Sequence, residues 1–408
     1  MLYVQPVAEA GGSDRALLQM VRSVRGTVNV HIALPGASPL DADYIAAGAT
    51  LHHIGMRRIT RSGGVAWWLG YAAMWPIAVL RLAMLARRVR ADIVHTNSLH
   101  SWYGWAASLL CNRPHVWHAR EIVFQSGLAL RAERALIGSF ATLVPAISAA
   151  VASQLPQAPT RLIYDDIDRD RFAPSNAGRF RTAVGVGDGE PLAGVVCRID
   201  TWKGVELALD AFDVVRTRLP AARLVIVGAA VAGKEAYAAA LAARASTMPG
   251  VMWLGERSDV PDVVADLDVL VAAATEPEPW GLSIAEALAS GCPVIISDHG
   301  GAPEILAMAA ITGATRGNGA AAAGVAVAPG ELGALIEAMT AALRSGRIAG
   351  SADLRAARRP LTDPHPPAWR DLYDEVLGMG RVAPWPRWRR PRPVPRDGLR
   401  ACRGASRR

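Results

Sequence analysis

Short apolar runs rich in Val and Ile alternate along this chain of 408 residues with longer Ala-, Leu- and Arg-containing segments of helical period. In the first part, the runs at 2–7, 28–34, 92–96, 114–118, 142–146 and 160–164 predict strands. In the second part, those at 191–197, 223–228, 251–254, 268–273, 293–297 and 324–328 do so. Most are continuous rather than alternating, the pattern of strands buried on both faces. Strand–helix–strand repetition predicts parallel sheets covered by helices. Six strands followed by six more exceed one comfortable open sheet. They predict an α/β chain of two Rossmann-like parallel-sheet domains facing across a cleft, residues 1–165 and 166–360. A (β/α)8 barrel is the rival, but its usual ~250 residues suit twelve such units badly.

The predicted linker lies near 165–190. It holds Asp165-Asp166-Ile167-Asp168, then Phe172-Ala-Pro174, then a Gly/Asp turn at 185–189. Ligands in open α/β sheets bind outside the carboxyl ends of the strands, here the cleft. After Pro360 the pattern changes, with nine prolines between 360 and 395. Within 368–378, Trp369, Leu372, Tyr373, Val376 and Leu377 recur at helical spacing, so residues 365–380 are expected to pack back on the first domain. The segment 381–408 reads as a basic, disordered tail.

Composition narrows the classes. An apolar fraction of 51% with 20% charged residues excludes a disordered chain. The net charge of +8 invites a nucleic-acid reading, but ten arginines against one acid, Asp397, lie between Arg381 and Arg408. The rest of the chain carries 34 basic and 35 acidic residues, so no nucleic-acid partner is expected. The four cysteines (Cys111, Cys197, Cys292, Cys402) are scattered without a C-x-x-C pair. That argues against a disulfide framework or thiolate metal site and for a reducing compartment. The start, Met1-Leu-Tyr-Val-Gln-Pro, has no basic or apolar leader region and reads as a first strand. A cytoplasmic protein is expected.

Three motifs look like sites and are read as structure. Gly228-Ala-Ala-Val-Ala-Gly233-Lys234 has the spacing of a phosphate-binding loop, but Glu235 stands where a Ser or Thr hydroxyl is needed. Asp165-Asp-Ile-Asp168 resembles a metal-binding acidic cluster, yet acids are ordinary turn and cap formers. Gly185-Val-Gly187-Asp-Gly189 has no suitable strand before it and no helix opening on it.

The chemistry concentrates in Thr275-Glu-Pro-Glu278-Pro-Trp-Gly281-Leu-Ser-Ile-Ala-Glu286, continuing to Gly300-Gly301-Ala-Pro-Glu304. It reads as loop, helix, strand, Gly-Gly loop, helix. Glu278 precedes the helix and Glu286 lies inside it. Gly281 allows a sharp turn that exposes the Leu282 and Ser283 amides at a helix N-terminus, which favours an anion such as phosphate. Gly300 and Gly301 offer a second place where backbone N–H groups could approach a ligand. Two carboxylates beside such amides suit a polyhydroxylated phosphate ester.

This block resembles the E-x7-E motif of retaining glycosyltransferases of family 4 with the GT-B fold, the glycosyl transferases group 1. Further pieces follow in the family's order, from about 2 to 345. Gly11-Gly12-Ser-Asp14 looks like its Gly-Gly loop, Asp92-Ile-Val-His-Thr-Asn97 like its inner strand, and Val116-Trp-His118-Ala-Arg120-Glu121 like its His-bearing strand end. Cys197-Arg198-Ile-Asp-Thr-Trp-Lys203-Gly204 looks like its phosphate clamp, and Trp253-Leu-Gly255-Glu-Arg-Ser-Asp259 like its nucleotide-base loop. Asp165-Asp166 replaces the usual Asn-Gly, Trp280 the usual Phe, and Asp14 stands where Glu is frequent.

The resemblance implies transfer of a sugar from a nucleotide-diphosphate donor to a hydroxyl acceptor, with retention, through an oxocarbenium-like state and without a metal or cofactor. A lipid-linked compound or an envelope glycan is the candidate acceptor. Glu286 would bind the ribose hydroxyls and Glu278 the donor sugar. Arg198 and Lys203 would neutralise the leaving diphosphate, Gly11 and Gly12 would let diphosphate or acceptor approach, and His118 would bond the transferred sugar. His95 and His100 read as structural. A sugar-nucleotide epimerase on the same fold and a non-catalytic, membrane-associated nucleotide-binding module are the alternatives.

Residues 56–91 hold seven arginines and no acid, and 19 uncharged residues lie between Arg61 and Arg81. That approaches the ~20 residues of a spanning helix. A span would split one sheet across the bilayer, and Pro76, Gly63, Gly64 and Gly70 weaken it. An interfacial helical region, with an anionic membrane surface as partner, and a buried pair of domain helices are the two readings.

Overall fold

A computed structural model describes residues 1–9, 11–59, 64–123, 127–168, 170–314, 323–345 and 366–379. The basic tail 381–408 and the end of the second domain, 346–360, lie outside the described residues.

The first domain is built on β1 (Leu2–Val4), β2 (His31–Leu34), β3 (Thr50–His53), β4 (Val94–Thr96) and β5 (His115–Trp117), all parallel, in the order β3-β2-β1-β4-β5. β6 (Val144–Ala146) and β7 (Thr160–Leu162) pair in parallel beside it, joined to the β5 edge by bridges at Val116–Leu143 and Ala119–Ala146. The second domain holds β8 (Leu192–Val196), β9 (Arg223–Val227), β10 (Val251–Gly255), β11 (Val269–Ala272), β12 (Val294–Ser297) and β13 (Gly324–Val327). Their order is β10-β9-β8-β11-β12-β13, again parallel. The two doubly wound sheets reverse direction between β1 and β4 and between β8 and β11, the positions where such sheets open a crevice.

The helices of the first domain are α1 (Gly12–Ser23), α2 (Asp41–Ala46), α3 (Val65–Arg88), α4 (Tyr103–Cys111), α5 (Gly127–Phe140) and α6 (Ala149–Ser153). Those of the second are α7 (Arg179–Val184), α8 (Val205–Arg218), α9 (Glu235–Thr247), α10 (Val260–Asp266), α11 (Leu282–Ala289), α12 (Ala302–Ala314) and α13 (Leu332–Ser345); α14 (Pro366–Gly378) is the last. The apolar face of α14 returns to the first domain. Trp369, Leu372, Tyr373 and Val376 are buried with Met1, Tyr3, Leu17 and Val21, and the Tyr373 hydroxyl lies 2.9 Å from that of Tyr3. A second apolar cluster runs through the junction, from Trp117, Val144 and Val151 to Trp280, Ile284 and Ile305.

Two features depart from the pattern of apolar runs. β3 is an added edge strand, Thr-Leu-His-His, paired on one side only and partly exposed, so it needs no apolar run. α3 continues as one helix through Gly70 and Pro76. By length and composition it could cross a membrane, but Tyr71, Ala78, Val79, Leu82, Ala83 and Ala86 are packed in the core. β1 precedes it, β4 follows it, and the two strands are hydrogen-bonded neighbours, so a span through α3 would tear the sheet.

Candidate active site in the cleft

Strand order decides which loops meet. β8 and β11 are neighbours, so the segment leaving β8 (Cys197 to Gly204) lies beside the one leaving β11 (Ala273 to Gly281). Gly204 has φ +71°, and a Cβ there would stand 1.8 Å from the Ala273 carbonyl oxygen. Thr275 N–H donates to the Trp202 carbonyl at 2.8 Å. This close seam brings Lys203 Nζ onto Glu278 Oε1 as a partly buried ion pair. The ammonium also lies 4.2 Å from the Trp202 ring centre, and Trp202 Nε1 donates to Asp200 Oδ2 at 3.0 Å. Lys203, Glu278, Arg198 and Asp200 all act electrostatically on the half-buried Cys197, whose thiol desolvation pushes up to about 12. Arg198 itself is exposed at the strand end.

Gly281 caps α11 with φ +111°, and a Cβ there would press within 2.7 Å of Ile284 Cδ1. The Leu282 and Ser283 amides open the helix, where the first N–H groups have no intrahelical acceptor. Glu286 follows one turn on and is pushed up to about 7, chiefly by burial, with Arg15 and Arg171 opposing and Asp168 reinforcing the rise.

Gly300 and Gly301 allow a close approach of protein backbone. Gly301 N–H donates to the Glu278 carbonyl at 2.7 Å, so that amide serves the protein. A Cβ on Gly300 (φ +67°) would stand 2.2 Å from the same oxygen, and one on Gly301 2.4 Å from the Pro279 oxygen. The pair lets the Glu278 loop settle backbone to backbone on the start of α12.

From the first domain, Gly12 approaches α11 closely; a Cβ there would be 3.3 Å from Leu282 Cδ1. Gly11 caps α1 beside Asp14. Behind them runs a buried ladder: Asn97 Nδ2 donates to Gln5 Oε1, and Gln5 Nε2 to Asp14 Oδ1, both at 2.9 Å. Burial pushes the Asp14 carboxyl up to about 6. The Asp14 loop is thus framed from β1 and β4, the two strands at the switch point.

His118 lies at the carboxyl end of β5 in the first domain. It is 1% exposed, one residue beyond β5, roofed by α1 and α14. Its ring lies 5.5 Å from that of His95 and meets Trp369 edge-on at 5.1 Å. Burial, Arg120 and His95 hold it neutral, far below the ordinary histidine range. It lines a small hollow with Gln19, Tyr164, Asp166 and Trp369. Tyr164 in turn stacks on Trp280 at 4.8 Å.

The look-alike motifs have structural partners. Asp165 forms a buried, two-pronged pair with Arg120, with Nη1 to Oδ1 at 2.7 Å. Asp168 accepts from Arg22 at 3.0 Å. Glu235 Oε1 accepts the Gly233 N–H at 3.0 Å, occupying an amide a phosphate would need. Trp202, Asp200, Arg120 and Tyr164 shape the site without having been singled out for it. Trp202 was legible as Lys203's neighbour, whereas the others act through pairings distant in sequence.

Comparison with known proteins bears on the second-domain side of this cleft. Residues 178–356 match the family model described as Glycosyl transferases group 1. The second domain belongs to that family. Among curated proteins, the lipopolysaccharide core biosynthesis mannosyltransferase LpsB of Rhizobium meliloti (strain 1021) is 27% identical over 190 residues, 45% of this chain and 50% of LpsB. An alpha-maltose-1-phosphate synthase of Mycobacterium tuberculosis (strain CDC 1551 / Oshkosh) is 28% identical over 258 residues, 55% of this chain and 64% of the relative. The chain thus spans about half to two thirds of the length of the curated relatives it matches. Among solved structures, Anabaena HepE in complex with UDP and glucose superposes with a TM-score of 0.74 at 22% identity. That likeness covers 92% of this chain and 98% of HepE. WaaG, a glycosyltransferase involved in lipopolysaccharide biosynthesis, gives 0.64 at 17%, covering 93% of this chain and 100% of WaaG. The architecture around the group 1 domain is the GT-B fold: two parallel-sheet domains whose switch points carry Gly12 on one side and Lys203, Glu278 and Glu286 on the other.

Proposed function

We propose that this chain is a retaining, metal-independent glycosyltransferase of the hexosyl type. It moves a sugar from a nucleotide-diphosphate donor to a hydroxyl acceptor. The observation that carries the reading is the Lys203–Glu278 pair at the switch point of the group 1 domain, beside the free amides opening α11. Without donor, each charge neutralises the other in a partly buried place. With donor bound, the Lys203 ammonium and exposed Arg198 face the diphosphate, and Glu278 accepts from sugar hydroxyls. The α11 amides take phosphate oxygens, and Glu286 takes the ribose hydroxyls. Charge grows on the leaving diphosphate as the glycosidic bond breaks, so these cations and dipoles act most strongly in the transition state. The leaving phosphate helps deprotonate the acceptor on the same face, which retains configuration. That HepE is described with UDP and with glucose supports a diphosphate donor, and the names of LpsB and WaaG support an envelope glycan as acceptor.

The test is thermal unfolding with UDP, GDP, ADP or TDP, followed by product analysis with the matching sugar donor. One stabilising nucleotide, at 100 times its Kd, should add about 2.7 kcal/mol. Stabilisation by none would overturn the reading. An isomerised donor without acceptor would point to the epimerase, and binding without turnover to the non-catalytic module.

The acceptor side of the proposal is a lipid surface. α3 leaves Leu69, Ile77, Leu80 and Met84 exposed opposite its buried face, and Val65 and Trp68 exposed in its first turn. Arg57, Arg58, Arg81, Arg87, Arg88 and Arg90 accompany it with no acid between 56 and 91. An apolar stripe edged with arginine complements an anionic bilayer, each cation near the surface contributing about 1 kcal/mol. On this reading the enzyme works peripherally on the inner face of the cell membrane, beside a lipid-linked acceptor. The chain should sediment with anionic vesicles at low salt and be released at high salt. Leu69→Glu with Leu80→Glu should abolish sedimentation, and equal sedimentation with neutral vesicles would sink the proposal.

A further inference from the structure

The Glu278 loop has a second support that comes from the other domain. Glu304, in the first turn of α12, reaches across the junction to the start of α6. Its Oε2 accepts from Ala149 N–H at 2.8 Å and its Oε1 from Ala150 N–H at 2.9 Å. The next amide, Val151 N–H, is taken by Ser148 Oγ at 3.1 Å. Three opening amides of α6 are therefore satisfied, two of them by a carboxylate more than 150 residues away in sequence. A carboxylate at a helix start is favoured because the free N–H groups carry partial positive charge there, and charge-assisted bonds of this kind are short and strong.

The position of Glu304 gives this contact a consequence for the site. Three residues before it, Gly301 gives its N–H to the Glu278 carbonyl. The same glycine faces Ser148, whose Cβ would lie 3.1 Å from a Gly301 Cβ. One short segment, 300–304, thus touches the Glu278 backbone at one end and grips the α6 start at the other. The small residues bring the two domains close, and the carboxylate clamps them.

We propose that Glu304 is a positioning residue that sets the Glu278 loop relative to the first domain, so that domain orientation and the placement of the donor-sugar acid are one event. The proposal rests on the reading of Glu278 as the acid that holds the donor sugar. The α6 clamp is its fulcrum. Losing the carboxylate frees the 300–304 segment from the first domain, and with it the Gly301–Glu278 bond that holds the loop.

The test uses the full chain with Glu304→Ala and the conservative Glu304→Gln, which keeps an amide oxygen as acceptor. The first readout is hydrogen exchange at the Ala149, Ala150 and Gly301 amides. In Glu304→Ala all three should exchange about tenfold faster or more, while amides in β8 and β11 stay as protected as in the wild type. Glu304→Gln should restore much of the protection. The second readout is kinetic: Glu304→Ala should lower kcat at least tenfold, and Glu304→Gln by much less. Faster exchange at Ala149 and Ala150 with unchanged exchange at Gly301 would reduce Glu304 to a helix cap and overturn the proposal. So would an unaltered kcat. If the wild type turned over no donor, the functional reading would fail, and Gly301 exchange would still decide whether the clamp holds the loop.

Discussion

Replacing Lys203 by Met should lower kcat by two to three powers of ten and leave the fold intact. The magnitude follows from its place. Removing one donor that meets developing negative charge in a preorganised site costs about 3 kcal/mol in the transition state. Lys203 is fixed by a seam of backbone contacts, by the Trp202 ring 4.2 Å from its ammonium and by Glu278. Met keeps the length and the contact with Trp202 while deleting the charge. The substitution also leaves Glu278 without its cation in a partly buried place, so donor binding should weaken as well. A compound effect on kcat/KM, measured at saturating acceptor, separates the two. Turnover within threefold of wild type would remove Lys203 from the chemistry and leave the pair as an ordinary ion bridge.

The largest effect on stability is expected from Asp165→Ala, at about 3–5 kcal/mol, because it strands Arg120. Both side chains of that pair are close to fully buried, 6% and 5% exposed, and they meet through two parallel hydrogen bonds. Breaking a buried pair by removing one partner leaves an uncompensated charge, whereas removing both together costs far less. Unfolding of the first domain in Asp165→Ala should therefore begin about 10 °C lower, with a few degrees lost per kcal/mol in a domain of its size. Arg120→Met combined with Asp165→Leu should recover much of the loss. A single-variant loss below about 1 kcal/mol would show that the pair is solvated in solution. Asp165 lies three residues beyond β7, so this pair also anchors the chain where it leaves that strand.

Parts of this site were plain in the residues. The Gly281 turn, the position of Glu286 one turn into the helix and the exposure of the α11 amides are short-range matters, set by glycine's access to positive φ and by the 3.6-residue repeat. They appear where the sequence places them. The Gly300-Gly301 pair was legible as a close approach but not as to what approaches. A missing Cβ marks crowding, and only coordinates show that the Glu278–Pro279 backbone lies against both glycines. For His118, a strand-end histidine with an Arg two residues on looks alike with or without a returning helix over it. The deciding residue, Trp369, comes about 250 positions later. The edge strand β3 escaped because an exposed, singly paired strand is under no pressure to be apolar.

What the amino-acid order settled by itself was local and periodic. Continuous apolar runs between helical segments make two parallel sheets, because only strands covered on both faces are apolar throughout. The excess positive charge belongs to the end of the chain, since the body is nearly neutral. Tertiary structure decided who meets whom. Lys203 and Glu278 pair across 75 residues because β8 and β11 are neighbours, and Glu304 reaches α6 because the junction brings two domains edge to edge. Strand adjacency and interdomain contact arise from burying apolar surface across the whole fold. No window of sequence contains that balance, so the partners of the charged residues emerge only once the chain is packed.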